Sequence, residues 1–167
     1  MDLSGLRQLI VAPRPEPPPD GDLQSRTDWA QEDIAAGLPQ VVAATSGAFT
    51  AQMLNLDLIG AVSFSKGCYT GQEIIARAHY LGHARRRMQR FHTESSQRLE
   101  PGKRITLADG RRAQVVMACN VEGGGQEFLA VTTLVHNVDQ VSAMEADSTA
   151  DAERVSAEQL SLPYTVS

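Results

Sequence analysis

Two glycine turns in the second half of the chain constrain its fold most. Asp109-Gly110 separates apolar-rich runs at 103–107 and 111–119, and Gly123-Gly124-Gly125 separates the second run from an almost continuously apolar stretch at 128–135. An Asp-Gly pair between such runs signals a hairpin, because glycine takes the positive φ that a tight two-strand turn requires. Ala113, Val115, Met117 and Cys119 alternate and are expected to share one face of a strand. Residues 85–93 form another strand candidate, in which Met88 and Phe91 break strict alternation and point to a bulge or a rim. A closing strand is expected at 159–166, with Pro163 tolerated on an edge. Short strands at this spacing predict a small antiparallel β-barrel or sandwich over 85–167.

The first half reads differently. Leu3, Leu6, Leu9 and Ile10 have helical spacing, and 12–22 carries five prolines and reads as an extended linker, so 1–26 is set apart. Asp28-Trp29-Ala30-Gln31 predicts a capping box opening a short helix, which Gly37 ends and Pro39 keeps from continuing. Residues 41–44 read as a short strand or extended segment, and 45–52 as a loop. Over 53–64, Leu54, Leu56 and Leu58 alternate as in a strand, while Leu54 and Leu58 alone fit a helical turn; both readings stand. Residues 72–81 predict a helix with Ile74, Ile75, Ala78 and Leu81 on one inward face, ended by Gly82. The expected architecture is α+β, divided at 27–84 and 85–167.

Composition narrows the setting. A chain of 167 residues with 42% apolar content can bury a sizeable core. No apolar run approaches the roughly 18 residues a membrane span needs, and no basic-then-apolar leader pattern opens the chain, so the cytoplasm and no membrane partner are expected. Residues 143–158 are acidic, rich in Ala and Ser, and read as loosely ordered. Net charge is −5, yet residues 66–112 hold eleven Lys or Arg against four acids, a local +7. That belt can steer anions toward one face, and Arg77, Arg85, Arg86 and Arg87 are its candidate anion- or partner-binding residues.

Metal chemistry has little to build on. His79 and His83 have i, i+4 spacing, but Gly82 falls between them, so no metal site is expected. Cys68 and Cys119 are too few for a disulfide framework or a self-contained iron–sulfur cluster, and both are expected as free thiols. Cys119 reads as a buried strand thiol. Cys68 sits in a different setting, Ser65-Lys66-Gly67-Cys68-Tyr69-Thr70-Gly71-Gln72-Glu73, which runs directly into the predicted helix. Glycines allow close approach to the backbone, and a helix start favours an anion or thiolate nearby.

Lys66-Gly67-Cys68-Tyr69-Thr70-Gly71-Gln72-Glu73 resembles the signature of the YgfZ family, folate-binding proteins linked to tRNA modification and to iron–sulfur cluster assembly or repair. Similarity extends to Trp29, Ile34-Ala35-Ala36-Gly37-Leu38-Pro39, Asn55-Leu56, Ile59-Gly60-Ala61-Val62-Ser63-Phe64, Ala76-Arg77-Ala78 and Leu162-Pro163-Tyr164. The family is distantly similar to the aminomethyltransferase of the glycine cleavage system. The resemblance implies the C-terminal remnant of a folate-binding domain followed by a barrel, since family members are longer at the N-terminus. Apolar surface is then expected to be exposed where the remainder would pack.

What the resemblance implies about function can be assigned residue by residue. Trp29 stands at a position implicated in binding tetrahydrofolate, where an indole can stack on a pterin, although a core aromatic of a short helix fits it equally. Cys68 matches the functional cysteine, and Lys66 is expected beside it to lower the thiol's pKa or to bind an anion. Gly67, Tyr69, Gly71, Gln72 and Glu73 shape the loop. An accessory factor is expected rather than an enzyme, with iron–sulfur enzymes or cluster-assembly factors as partners and tRNA as an indirect one. Thiol redox chemistry, transient cluster or persulfide contact, and holding the loop in shape are all open to Cys68. The rival readings are a folate-dependent aminomethyltransferase and a basic-belt module that binds tRNA without catalysis.

Overall fold

In the computed structural model, placement is described for residues 26–80, 84–134 and 153–166. The expectations for 2–11, 12–22, Leu81, Gly82, His83 and 143–152 lie outside these residues, as do the side chains of Ile74, Ala78 and His79. The elements are α1 (Arg26–Ala36), a 3-10 turn (Ala43–Thr45), α2 (Gln72–Tyr80), β1 (Arg86–Thr93), β2 (Arg104–Leu107), β3 (Arg112–Asn120), β4 (Gln126–Thr133), β5 (Glu153–Val155) and β6 (Glu158–Leu160).

The two glycine turns do what their sequences require. Gly110 has φ +88 and donates to the Leu107 carbonyl at 3.0 Å, joining β2 and β3 antiparallel. Gly123, Gly124 and Gly125 all have positive φ and return the chain into β4. β1 then pairs with β4 in unbroken register from Arg86↔Thr133 to Thr93↔Gln126. Of the bulge or rim expected in 85–93, the bulge is therefore absent from β1. It lies in β3, between Val115 and Met117.

That bulge changes which residues share a face. One extra residue reverses the alternation beyond it. Ala113 and Val115 pack in the core on the concave side, with Phe91, Ile105, Leu107, Phe128, Ala130 and Val155. Val116, Met117 and Cys119 join the core on the other side, with Ile34, Leu54, Met88, Leu129 and Val131. The single face expected for Ala113, Val115, Met117 and Cys119 is thus split. β4 feeds both cores, which explains its continuous apolar run.

Strand order is β5-β2-β3-β4-β1-β6. β5 and β6 occupy opposite edges although only Ser156 and Ala157 separate them, so the sheet must curl to bring its edges toward one segment. The result is a mostly-sheet α+β fold built on a curled, six-stranded half-barrel. β5 pairs with β2 in parallel, which departs from an all-antiparallel sheet, and residues 153–155 form a strand where a loose segment was expected. The closing strand is confined to Glu158–Leu160 and ends before Pro163.

α1 packs on β3 and β4 through Ile34 and Ala30. It begins at Arg26, so Asp28 lies within the first turn and not at the cap; there its carboxylate faces the positive end of the helix dipole. Gly37 ends the helix at φ +66, with Leu38 N–H donating to Asp33 O at 2.8 Å and Gly37 N–H to Ile34 O at 3.1 Å. These are the two bonds of a glycine-terminated helix end.

Residues 41–44 do not pair as a strand: Val42 is extended and leads into the 3-10 turn, and all four are exposed. The Thr45 hydroxyl accepts from Val42 N–H at 3.0 Å and closes a 3-10 turn, leaving Val41 and Val42 exposed. The ambiguous stretch 53–64 is resolved as consecutive turns over 51–60. Asn55 is buried at φ +58, which breaks both helix and strand and sends Leu54 and Leu56 into the core. The turns also cover β1 where β6 does not reach: Met88 N–H donates to Met53 O at 2.8 Å, and Asn55 Nδ2 donates to Met88 O at 2.8 Å. An edge strand is satisfied in this way without another strand.

Candidate functional site

The loop expected at 65–73 is a surface feature whose exit is held by reciprocal hydrogen bonds. Gln72 N–H donates to Tyr69 O at 3.1 Å, while Gln72 Oε1 accepts from Tyr69 N–H at 3.2 Å. Gly71 between them has φ +86, a conformation that costs a side chain-bearing residue free energy. Gly67 needs no such conformation, and open space surrounds it. Lys66 Nζ lies 4.7 Å from the centre of the Tyr69 ring, within cation–π distance. Lys66 N–H also donates to Ser63 Oγ at 3.3 Å. Cys68 sits within this frame as an exposed free thiol.

α2 carries the loop's far end and is itself tied to the turns. Gln52 Nε2 donates to Ile75 O at 2.7 Å, and Phe64 meets Tyr80 edge-on with ring centres 6.1 Å apart. Glu73 and Arg77 pair at 3.2 Å across one helical turn, both highly exposed. Arg77 is thus satisfied by its own helix.

The arginines at the start of β1 have separate fates. Arg85 is exposed, and its carbonyl accepts from Leu134 N–H at 3.2 Å. Arg86 is half-buried, its Nη2 donates to Val131 O at 3.5 Å, and its buried Nε has no partner. Arg87 is turned inward: it makes a bidentate pair with Asp57 at 2.8 and 3.1 Å and donates to Gln52 O at 3.0 Å. With its side chain 9% exposed, Arg87 serves to fix the turn layer to β1. Gln52, Asp57 and Asn55 carry no local signal of these tertiary partners, because uncharged or acidic side chains in a stretch of mixed periodicity do not encode which distant residue they meet.

Tyr164 is a third such support. Its hydroxyl donates to Gly37 O at 2.9 Å and accepts from Asn55 Nδ2 at 3.4 Å, so the C-terminal segment fastens α1 and the turns together. Burial pushes the phenol above its usual range, against the opposing influences of the Asn55 hydrogen bond and Arg87.

Cys119 lies on β3, half-buried, at the wall of a cleft of about 630 Å³ that also takes in Ala30, Gln126 and the Arg98–Glu100 pair. Burial raises its thiol to about 11; the Glu127 carboxylate adds to the rise and Arg90 opposes it. Trp29 is half-buried on α1, next to Ala30. Neither this cleft nor a smaller one of about 250 Å³ beside β1 and β6 is lined by Trp29.

Among the described residues, no group of three or more His, Cys, Asp or Glu side chains could hold a metal ion. No helix among them is long and apolar enough to cross a membrane. No protein-family model matches the chain.

Proposed function

We propose that this chain is a YgfZ-like folate-binding accessory protein, a folate-domain remnant joined to the half-barrel. In this reading it supports the assembly or repair of iron–sulfur clusters in enzymes that modify tRNA, and Cys68 is its working group. One observation carries the proposal: a free, exposed thiol stands in a loop fixed at its exit by the Tyr69–Gln72 pair and by Gly71, inside the octapeptide that resembles the family signature. A core cysteine would not be displayed on a surface loop. An exposed thiolate is the form that exchanges with disulfides and ligates soft metals. Tetrahydrofolate enters through the resemblance at Trp29 alone.

Two measurements test the reading. In cells lacking their own protein of this type, the wild-type chain should restore cluster-dependent tRNA thiolation and Cys68→Ala should not; full restoration by the alanine variant would reject Cys68 as the working group. Trp29 is the only tryptophan, so intrinsic fluorescence reports on it directly. Added tetrahydrofolate should quench that signal, and unchanged emission removes folate from the function.

A further inference from the structure

The outer face of the β5-β2-β3 edge carries a cluster of arginines that the reading above leaves unused. Thr106 of β2 registers with Arg154 of β5 on one side and with Arg112 of β3 on the other. Arg104 lies two residues from Thr106 on the same strand and registers with Gln114. Side chains two apart on a strand share a face. Ile105, Leu107, Ala113 and Val155 fill the concave core, so Arg104, Arg112 and Arg154 point the other way.

All three arginines are exposed, and among the described residues none forms an ion pair. Among the described residues, the acid next to Arg154 in the chain, Glu153, registers with the inner-facing Ile105 and pairs with Lys103 at 3.3 Å. Adjacent strands lie about 4.8 Å apart, which sets Arg154 and Arg112 about 10 Å from one another across Thr106. The sheet thus sets three exposed arginines on adjacent strands of one face.

We propose that Arg104, Arg112 and Arg154 form a binding surface for the phosphodiester backbone of double-helical nucleic acid. Guanidinium forks match phosphate oxygens, and this face opposes unpaired positive charge to a regular row of negative charge. A protein partner would need an apolar centre, and this face offers Arg, Thr and Gln instead. No aromatic side chain stands among them to stack on a base, so recognition is of the backbone and without sequence preference. The belt over 66–112 did not reveal this surface, because Arg154 sits in an acidic part of the sequence and the parallel β2–β5 pairing alone brings it beside Arg112. The inference stands apart from the role of Cys68.

Fluorescence anisotropy with a labelled duplex of about 20 base pairs, titrated at salt from about 50 to 200 mM, tests it. Three neutralised phosphates give a slope of log affinity against log salt of about −2.7, and each single Arg→Gln substitution should reduce it by about 0.9. R104Q/R112Q/R154Q should abolish binding with its thermal melt unchanged, whereas Arg98→Gln, an ion-paired residue off this face, should leave binding intact. Duplexes of unrelated sequence should bind alike. The proposal is overturned by absent binding at the lowest salt, by a triple variant that keeps the wild-type slope, or by strong preference for one sequence. Poly-glutamate that competes as well as duplex, charge for charge, also overturns it, since the surface would then suit an acidic protein.

Discussion

The two cysteines stand in opposite regions of the molecule. Cys119 is on β3, where both faces of the sheet are packed and the bulge after Val115 turns the thiol toward the core shared with α1. Cys68 is on a loop with exposed neighbours, Lys66, Gly67 and Thr70. One region is specified by burial, its apolar side chains packed into two cores. The other is specified by a few polar contacts that leave its central side chain free. The contrast teaches that a residue's surroundings are set by the element that carries it: the same thiol packs against a core on β3 and stands exposed on the loop.

Removing a support from the packed region should have the largest effect. Asp57→Ala leaves the buried Arg87 guanidinium without its carboxylate and should cost about 3–5 kcal/mol in urea unfolding. A cost below about 1 kcal/mol, the range of a surface pair, would mean that the turn layer is not fixed to β1 by this contact.

The thiols themselves sharpen the comparison next. With its thiol raised to about 11, Cys119 should react with a disulfide reagent about a hundredfold more slowly than free cysteine at pH 8, while mass spectrometry should find Cys68 labelled first. Equal labelling would erase the distinction. The pH dependence of stability follows in sign. The native Cys119 thiol holds its proton to higher pH than the unfolded one, so its contribution is complete below the unfolded value near 9 and is lost as pH rises toward about 11. In a Cys68→Ser background, Cys119→Ala should flatten that decline.

Smaller effects belong to the joints between regions. Gly37→Ala places a side chain at φ +66 with its Cβ 2.5 Å from the Tyr164 hydroxyl, and should cost about 1–3 kcal/mol in thermal unfolding. A neutral result would show that Tyr164 can leave α1 freely. Smallest is Glu73→Gln, which removes an exposed one-turn ion pair on α2 and should cost no more than about 0.5 kcal/mol. A larger loss would mark Glu73 as a support of the loop and not a solvated helix residue.

Legibility followed the range of the interactions involved. Gly37, Gly110 and the Gly123–Gly125 run were readable because a positive φ is a local demand that glycine meets at least cost. The helices at Arg26–Ala36 and Gln72–Tyr80 followed from local spacing and end signals. The bulge in β3 was not readable, since it depends on how two cores compete for Val116 and Met117. Turns over 51–60 depend on Asn55 reaching Met88, a residue 33 positions away. At the candidate site, the Tyr69–Gln72 contact lies within the motif, whereas Gln52 at Ile75 and Asp57 at Arg87 join segments that share no pattern.

By itself, then, the sequence determined the turns, the strand-forming stretches and an octapeptide loop that displays Cys68. Those depend on backbone conformation and neighbouring residues. Only the tertiary structure decided that the sheet curls until one short segment meets both edges, and that Arg87 is spent inside. It alone decided that Arg154 joins Arg104 and Arg112 on an exposed face. The physical reason is the same in each case: strand pairing and charge burial are settled between residues far apart in the chain, whose proximity no local pattern encodes.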